Sequence, residues 1–287
     1  MIIVNDNFND IFLESLKLLK DQGRKTNPRG FTCYEIIAPQ IILTNPLNCL
    51  ITIKERKLNY AYLIVEKFTY LGQISKPDLL LRYNKQMSNY INDITNDFDG
   101  AYGLRILRNH QLDWCYNLIK NDPDTRQAVI TINDFTDRRS SKDIPCTLSF
   151  QFLLRDGKLD MIVNMRSNDI IWGTCLDIPA CFFVQEVLSF CLGVEVGRYI
   201  HQPGSLHYYD HHGNLINELL GSNLTYNDQL TQRWNISKDD TKEAINGFWF
   251  GERQISDGVG YLSRFNVINN YLSKIRLYWS NKIKQNL

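Results

Sequence analysis

The sequence has no strong excess of charge of either sign, because 32 lysine and arginine residues stand against 31 aspartate and glutamate residues. This balance excludes a nucleic-acid polymer as the main partner, since proteins that bind one carry a basic surface. No apolar run approaches the roughly 18 to 20 residues that a membrane-spanning helix needs. Proline and glycine are scarce, at 8 and 16 residues, and no low-complexity linker or internal repeat is present. We therefore expect one globular domain over residues 1–287, away from the membrane.

Targeting and metal-binding motifs are missing as well. The N-terminal sequence MIIVNDNFND has no basic segment ahead of an apolar one, which argues against a signal peptide. Seven cysteines are present, but none forms a CxxC pair, and no cysteine–histidine spacing matches a zinc site. Cysteines among apolar neighbours are typical of reduced core thiols. We expect a cytoplasmic protein with free thiols and no metal. One of the seven cysteines is expected to differ from the reduced core thiols.

The sequence does contain a mixture of helix and strand patterns. Apolar residues from Ile11 to Leu19 repeat at helical spacing and stop near Gly23. The basic segment 24–30 is interpreted as a loop, and the isoleucine-rich segment 34–43 as a strand ended by Asn45-Pro46. Two more helices are expected, at Leu58 to Leu71 and at Leu112 to Ile119.

The clearest local pattern is a β-hairpin. The segments CTLSFQFLL (146–154) and LDMIVNMRS (159–167) flank Asp156-Gly157, a pair that suits a tight turn with positive φ. A helix from Ile178 to Leu192 follows and ends at Gly193. One or two helices are expected within 213–287, the last of them around 266–283. Because strands and helices mix without regular βαβ alternation, we expect an α+β or three-layer α/β fold.

Cys146 is the residue best suited to covalent chemistry. It follows Pro145 at the beginning of the first hairpin strand, where a thiol is either a nucleophile or an inert core residue. A nucleophilic thiol needs a lowered pKa, which a nearby arginine or histidine provides. Three arginines in loop positions offer forked donors for a phosphate, although each alone is typical of a solvated surface: Arg29, Arg126 and Arg166.

Several separated motifs occur in a fixed order. They are DPDTRQ (122–127), IPC (144–146), RSNDIIWGTCLDIP (166–179) and GSLHYYDHH (204–212). Over roughly residues 8 to 212 they strongly resemble the thymidylate synthase family. As in that family, Cys146 stands about twenty residues before Arg166-Ser167, a side chain placed to read the base follows about eleven residues later, and a His-x-Tyr comes after it.

The resemblance implies a role for each matched residue near the base. Cys146 resembles the nucleophile that adds to C6 of a pyrimidine and makes C5 a carbon nucleophile. Glu66, in YLIVEKFTYLG, resembles the helix glutamate that works through water as a general acid and base. Tyr102, in DGAYG, resembles the tyrosine near the nucleophile, and Asp169 the acid near the base and the folate. The implied cosubstrate is 5,10-methylenetetrahydrofolate.

The resemblance also implies the substrate class and the assembly. The substrate would be a pyrimidine nucleoside monophosphate, with Arg29, Arg166 and Ser167 on its phosphate. His207 and Tyr209 resemble the pair that binds the 3′-hydroxyl of the sugar. Arg126 resembles an arginine donated by the partner subunit, which implies a homodimer. The implied fold is a three-layer one, with a mixed sheet, packed helices, and sheets that face each other across the dimer.

Two departures from the family pattern bear on specificity. Thr147 follows the nucleophile where the family has histidine, and Asp177 stands in place of the base-reading asparagine. An asparagine can accept from N3–H and donate to O4 of uracil, whereas cytosine presents the opposite pattern. A protonated aspartic acid matches cytosine, and an ionised one matches N3-protonated cytosine. Asp177 is therefore predicted to select cytosine, because mismatched buried groups lose their partners.

Both departures, together with NMRSND (164–169), resemble the cytidylate and deoxycytidylate 5-hydroxymethylases of the family. That resemblance implies that water, and not hydride, adds to the exocyclic methylene on C5. Two alternatives remain open: methylation of a uracil nucleotide, and a nucleotide-binding homologue without catalysis. The retained Cys146, Glu66, Tyr102 and Asp169 argue against the second alternative. The sequence leaves ribose and deoxyribose open, and residues 213–287 have no match to the family motifs.

Some of these residues also have plainer interpretations. Asp177 could be the N-cap of the helix that begins after it. Histidines at 207, 211 and 212 resemble a metal cluster by spacing, but no convergent ligand set accompanies them, and no metal is predicted. Gln127 replaces the second arginine of the family motif, so one phosphate contact is lost or comes from the loop 24–30. Trp172, in place of a leucine, is interpreted as a packing residue.

The arginines lead to an expectation about the reactivity of Cys146. Its thiol should ionise easily once the phosphate-site arginines are in place. Alkylation should then select Cys146 over the other six thiols, and nucleotide should protect it.

Overall fold

The computed structural model describes residues 1–137, 140–221, 223–227 and 233–285. Within these ranges the chain mixes strands and helices, as the sequence predicted. The strands are β1 Ile2–Asn5, β2 Arg24–Thr26, β3 Cys33–Ile37, β4 Gln40–Leu43, β5 Val129–Thr131, β6 Thr147–Arg155, β7 Lys158–Met165, β8 Asn168–Asp169, β9 Glu195–Pro203 and β10 Ser205–Tyr209. The helices are α1 Phe8–Gln22, α2 Tyr60–Thr69, α3 Asp78–Tyr83, α4 Tyr102–Leu107, α5 Gln111–Asn121, α6 Thr174–Leu192, α7 Gly213–Leu219, α8 Lys238–Ser256 and α9 Asn266–Gln285.

The strands form two mixed sheets. One sheet has the order β1-β4-β9-β7-β6-β5, and the other has the order β2-β3-β10-β8. The predicted hairpin β6–β7 is confirmed, with Leu154 opposite Leu159. Its turn has positive φ at both Asp156 (51°) and Gly157 (72°), the geometry that the Asp-Gly pair favours.

The first helix, α1, is amphipathic as expected. Asn7 caps it by accepting a hydrogen bond from the backbone of Asn9, and the helix ends before Gly23. Its inner face is fully buried and includes Phe8 and Phe12. Burying a phenylalanine contributes roughly 1.5–3 kcal/mol, so this face anchors the helix to the sheet core. The helices expected at 58–71 and 112–119 are confirmed as α2 and α5.

Two predictions about the N-terminal segments are wrong. The expected strand over 34–43 is interrupted at Ala38, whose φ of 48° ends β3 before Pro39. β3 and β4 consequently belong to different sheets. The basic segment 24–30 begins with a short strand, β2, which pairs with β3. A single residue with positive φ breaks an otherwise continuous β pattern, which apolar content alone does not reveal.

Helix α6 begins at Thr174, four residues before the expected start at Ile178, and ends at Gly193 with φ 72°. By length and mean hydropathy it could span a membrane, although Asp177 and Glu186 interrupt its apolar residues; its 18-residue window has a mean hydropathy of 1.6, and 72% of that window is buried inside the fold. The helix is therefore the central core helix. Because of the earlier start, Asp177 lies in the first turn and is not the N-cap, so that interpretation is wrong.

The described residues of 213–287 form three helices, α7, α8 and α9, where one or two were expected. α8 and α9 pack on α2 through aromatic side chains. Phe68 of α2 stacks on Phe248 with ring centres 3.7 Å apart and lies edge-on to Tyr271 at 5.2 Å. Lys67 donates a hydrogen bond to the Tyr271 hydroxyl at 2.8 Å. These helices therefore brace the rear of the helix that carries Glu66.

Candidate active site

Cys146 lies immediately before β6, at the N-terminal end of an inner strand of the large sheet. Its carbonyl accepts a hydrogen bond from the backbone of Arg166 at 2.8 Å, which joins it to the end of β7. The Ser167 hydroxyl lies 4.0 Å from the thiol sulfur. Burial raises the pKa of Cys146, with Arg166 opposing the shift and Asp177 adding to it. The expectation of an easily ionised thiol therefore does not hold for this structure, in which Arg166 only partly offsets burial.

Cys146 and Cys191 are the two partly exposed cysteines, whereas the other five are buried. We therefore predict that iodoacetamide alkylates Cys146 and Cys191 in the native protein, which corrects the expectation of labelling at Cys146 alone. Because burial raises the pKa of both thiols, labelling should accelerate as the pH rises. A pyrimidine nucleotide should protect only Cys146, as measured by mass spectrometry of the labelled peptides. Equal labelling of the buried cysteines, or no protection at Cys146, would contradict this prediction.

Arg166 is held beside the nucleophile by backbone carbonyls. Its guanidinium donates to Pro145 O at 3.0 Å and to Ile144 O at 2.9 Å, and it also donates to the Ser167 hydroxyl at 3.1 Å. The side chain is exposed, so part of its fork faces solvent at the mouth of the site. Arginine and serine at this point form a cationic, hydrogen-bonding rim suited to a phosphate.

Arg29 and Arg126 are exposed, and no contact among the described residues joins either guanidinium to Cys146. Arg29 has φ 52° within a short 3₁₀ segment after β2. Arg126 lies between α5 and β5, where its carbonyl accepts from the Gln151 side chain at 3.1 Å. Gln127 is exposed beside it. Of the three candidate phosphate arginines, Arg166 is the one that the described contacts place beside the nucleophile.

Glu66 lies on α2, close enough to Asp177 for the charge of Asp177 to act on it. The Tyr62 hydroxyl donates to its Oε1 at 2.9 Å, while Oε2 is buried without a hydrogen-bond partner in the described part of the chain. Burial raises the pKa of Glu66 to about 8, and the neighbouring Asp177 adds to the shift. The carboxyl group therefore carries a proton at neutral pH and can donate it.

Asp177 faces Glu66 from the first turn of α6. Its Oδ2 accepts a hydrogen bond from the Asn168 amide at 2.7 Å. Burial raises the pKa of Asp177 to about 7, although the hydrogen bond from Asn168 opposes the shift. Near neutral pH the Asp177 side chain is therefore partly protonated and partly ionised. A group in this state can share a proton with a nucleobase.

Two tyrosines extend the pocket around Cys146. Burial raises the pKa of Tyr102, and the thiolate of Cys146 is the next cause, which places the hydroxyl near the sulfur. The Tyr102 ring lies 5.0 Å from that of Tyr70. Tyr90 also has a raised pKa, from burial first and then from Cys146 and Tyr209. Sequence reasoning missed Tyr90 because it lies in a 3₁₀ segment with no periodic pattern.

Asp169 organises the turn between β8 and α6. Its Oδ1 accepts from the backbone of Ile171 at 2.7 Å and of Trp172 at 3.0 Å. Trp172 is 44% exposed, and its indole donates to His212 at 2.7 Å. The Arg56 guanidinium also lies over the indole, 6.0 Å from its centre, and the interpretation of Trp172 as a packing residue stays a prediction. The partly exposed ring belongs to the turn that Asp169 organises.

His207 and Tyr209 lie on β10, in the small sheet. His207 pairs with Asp169 of β8 in register, which brings the histidine to the same site. Its Nδ1 is buried without a hydrogen-bond partner among the described residues. Its ring lies edge-on to Tyr209 at 5.3 Å. The pair thus offers an unused polar atom and a hydroxyl on one face of the strand.

Sequence reasoning also missed a buried polar pair behind Asp177. Asn168, which contacts Asp177, is 3% exposed, and His201 of β9 is fully buried against it at 2.9 Å. Asn168 belongs to the motif NMRSND (164–169), and His201 belongs to none of the motifs. The alternating pattern of β9 places His201 inward, and an inward histidine in a strand was the available signal.

The chain matches the family model described as thymidylate synthase over residues 10–257. It is 36% identical over 227 residues to the deoxyuridylate hydroxymethyltransferase of Bacillus phage SP01, a match covering 72% of this chain and 59% of that protein. The protein of the same name from Delftia phage PhiW-14 is 31% identical over 198 residues, covering 64% and 55%. The thymidylate synthase of Staphylococcus haemolyticus is 28% identical over 141 residues, covering 49% and 41%.

The span matched by the family model contains the elements that carry the candidate site residues, namely α2, β6–β8, α6 and β10. The chain spans less than two thirds of the length of these relatives, all of which are named as enzymes. Because the family model matches most of the chain, this protein belongs to the thymidylate synthase family.

Proposed function

We propose that this protein transfers a one-carbon unit from 5,10-methylenetetrahydrofolate to C5 of a pyrimidine nucleoside monophosphate and leaves a hydroxymethyl group there, with cytidylate or deoxycytidylate as the substrate. The observation that carries the choice of base is the Asp177 carboxyl, which has a pKa of about 7 and lies close enough to Cys146 and Glu66 for its charge to act on both. The names of the phage relatives support hydroxymethylation.

Cys146 starts the reaction by adding its thiolate to C6, which forms a carbon–sulfur bond and places the electron pair at C5. Arg166 favours the thiolate form, and a bound phosphate would hold C6 against the sulfur. 5,10-Methylenetetrahydrofolate supplies the one-carbon unit as an electrophilic methylene group when bound. Loss of the C5 proton releases the folate amine as tetrahydrofolate and leaves an exocyclic methylene on C5. Addition of water to this methylene returns an electron pair to C5, which expels the Cys146 thiolate and restores the aromatic pyrimidine.

Glu66 handles protons in this scheme. With a pKa of about 8 and one unpartnered oxygen, it can donate a proton near neutral pH and then accept one from a water molecule. Water activated in this way adds to the exocyclic methylene on C5 and becomes the hydroxyl group. Tyr102, near the sulfur, would donate to charge that develops around the adduct.

Asp177 reads the base. The protonated acid donates to N3 of cytosine and accepts from the 4-amino group, and the carboxylate does the same with N3-protonated cytosine. In either case the pair shares one proton. Binding should therefore weaken as the pH rises above the Asp177 pKa of about 7.

The residues around Trp172 fit a folate. A half-exposed indole face stands next to Asp169, whose backbone hydrogen bonds fix the turn. A flat heteroaromatic ring could stack on the indole, and Asp169 could accept from ring N–H groups. Trp172 and Asp169 are therefore the residues that we assign to the cosubstrate.

The remaining predicted residues are assigned to the phosphate and the sugar. Arg29, Arg166 and Ser167 bind the phosphate, and His207 and Tyr209 bind the 3′-hydroxyl. The partner subunit of a homodimer supplies Arg126, a proposal supported by the exposure of this side chain in the single chain. The buried, unpartnered Nδ1 of His207 supports a ligand at that end of the site.

Deoxyuridylate is the second candidate substrate, because the phage relatives are named for it. A protonated carboxyl group can also bind uracil, if its hydroxyl donates to O4 and its carbonyl accepts from N3–H. The choice between the two bases therefore depends on which oxygen of Asp177 carries the proton.

We predict that incubation with 5,10-methylenetetrahydrofolate adds CH₂O to CMP or dCMP, as measured by product mass in parallel reactions with CMP, dCMP, UMP and dUMP. Tetrahydrofolate should be the folate product, because hydroxymethylation removes no hydride from it. Reactions without folate are the control. A gain of CH₂O on dUMP would favour the second candidate, and a gain of CH₂ would indicate thymidylate synthesis. Nucleotide binding without any product would indicate an inactive homologue.

A further inference from the structure

A buried chain of hydrogen bonds stands behind the Asp177 carboxyl. The Asn168 amide nitrogen donates to Asp177 Oδ2 at 2.7 Å, and Asn168 Oδ1 lies 2.9 Å from His201 Nε2. His201 Nδ1 lies 3.3 Å from the Tyr199 hydroxyl. The Thr174 hydroxyl donates to the same Asn168 oxygen at 2.6 Å. The chain links β8, α6 and β9, which are consecutive in the sequence and meet again behind the Asp177 carboxyl.

The direction of these hydrogen bonds follows from the chemistry of the partners. Burial lowers the pKa of His201 to about 3, so the ring is neutral and has a single N–H. The Asn168 oxygen can only accept, which requires the hydrogen on His201 Nε2. Nδ1 is then an acceptor for the Tyr199 hydroxyl. Donors therefore point one way, from Tyr199 toward Asp177.

The reverse arrangement would need three simultaneous changes. Turning the Asn168 amide over would put its oxygen against Asp177 Oδ2, which then has to carry a proton. The amide nitrogen would face His201, which has to change its tautomer, and Thr174, which has to become an acceptor. The orientation of the amide and the position of the proton on Asp177 are thus coupled.

Space around the pair is tight. A Cβ on Gly173 would stand 2.5 Å from the Asn168 amide nitrogen and 3.0 Å from Asp177 Oδ2. Glycine here allows the start of α6 to pack directly over the hydrogen bond. The hydrogen bond between Asn168 and Asp177 is therefore enclosed by the start of α6, which leaves little room for another arrangement of the two side chains.

We propose that His201 and Asn168 determine base specificity by fixing Asp177 Oδ2 as an acceptor, so that the proton of the acid resides on Oδ1. A carboxyl group free to carry its proton on either oxygen can match cytosine or uracil, whereas one with a fixed donor and a fixed acceptor matches one of them. In the arrangement we propose, Oδ1–H faces N3 of cytosine and Oδ2 faces the 4-amino group. The inference rests on the proposed role of Asp177 as the base reader, and it makes His201 and Asn168 positioning residues.

The test is the ratio of dissociation constants for cytosine and uracil nucleotides, measured by calorimetry on the full chain without folate. His201→Leu and Asn168→Ala remove the directing donor, and the preference for CMP and dCMP over UMP and dUMP should fall at least about tenfold, as expected for one misplaced buried hydrogen bond. His201→Gln keeps an N–H donor toward Asn168 and should retain most of the preference. Thermal melting of all variants is the folding control.

A purely structural role would weaken binding of all four nucleotides together and would leave the ratio unchanged. Retention of the parental ratio in His201→Leu and Asn168→Ala would overturn the proposal. So would a parent protein that binds both bases equally or binds neither. Because this readout needs no turnover, a parent that prefers cytosine but forms no product would contradict the proposed function and leave the specificity test intact.

Discussion

Replacement of Cys146 by serine is expected to abolish one-carbon transfer, with kcat lowered by at least ~10³-fold. A serine hydroxyl at this position is far less nucleophilic than the thiol and cannot form the carbon–sulfur bond that turns C5 into a nucleophile. The hydroxyl keeps the size of the site, so nucleotide binding should be retained within a few fold. Product mass with the preferred nucleotide measures the transfer, and calorimetry measures the binding.

Cys191→Ser is the matched control, because Cys191 is the other partly exposed cysteine and lies at the C-terminal end of α6. Its activity should equal that of the parent. Exchange of the C5 hydrogen with solvent, followed without folate, separates adduct formation from transfer and should also disappear in Cys146→Ser. Full activity of Cys146→Ser would exclude covalent catalysis and favour the nucleotide-binding alternative.

Asp177→Asn is expected to invert the base preference. The amide nitrogen can donate to O4 and the amide oxygen can accept from N3–H, which is the pattern of uracil. The ratio of kcat/KM for cytosine over uracil nucleotides should fall by at least about a hundredfold, since a site built for one pattern rejects the other strongly. Competition between CMP or dCMP and dUMP, read by product mass, measures this ratio directly.

Two controls separate recognition from general damage. Glu66→Gln alters the neighbouring carboxyl group and should slow both bases to the same extent without changing the ratio. The cytosine preference of the parent should decline as the pH rises through about 7, because Asp177 loses the proton that it donates to N3. An amide does not titrate, so this pH dependence should disappear in Asp177→Asn. An unchanged preference in the variant would show that Asp177 does not read the base.

Local patterns predicted much of the backbone. The β6–β7 hairpin follows from alternating apolar residues around Asp156-Gly157, and α1 follows from helical spacing after Asn7. The division of 34–43 into two strands did not follow, because one backbone angle at Ala38 decided it. The sequence did not predict the start of α6 either. Thr174 and Cys175 are fully buried because the turn after β8 packs on them, and this burial cannot be seen in the sequence pattern.

For the chemistry of the site, too, the sequence predicted one part and the tertiary structure decided the other. The identities and order of Cys146, Arg166-Ser167, Asp177 and His207 were sufficient to predict the family and a candidate nucleophile, phosphate rim and base reader. Residue identity and order are fixed by the covalent structure of the chain. An error in the predicted strands or helices therefore does not change them.

The tertiary structure alone decides the protonation of those groups. Glu66 and Asp177 have raised pKa values because α2 and α6 bury them against each other, and the thiol of Cys146 is held protonated by the same enclosure. The direction of the Asn168 and His201 hydrogen bonds likewise comes from β8 and β9 meeting behind α6. Burial and hydrogen bonding depend on which distant segments come together, whereas residue identity does not, so the sequence could supply the reactive groups but not the charges they carry.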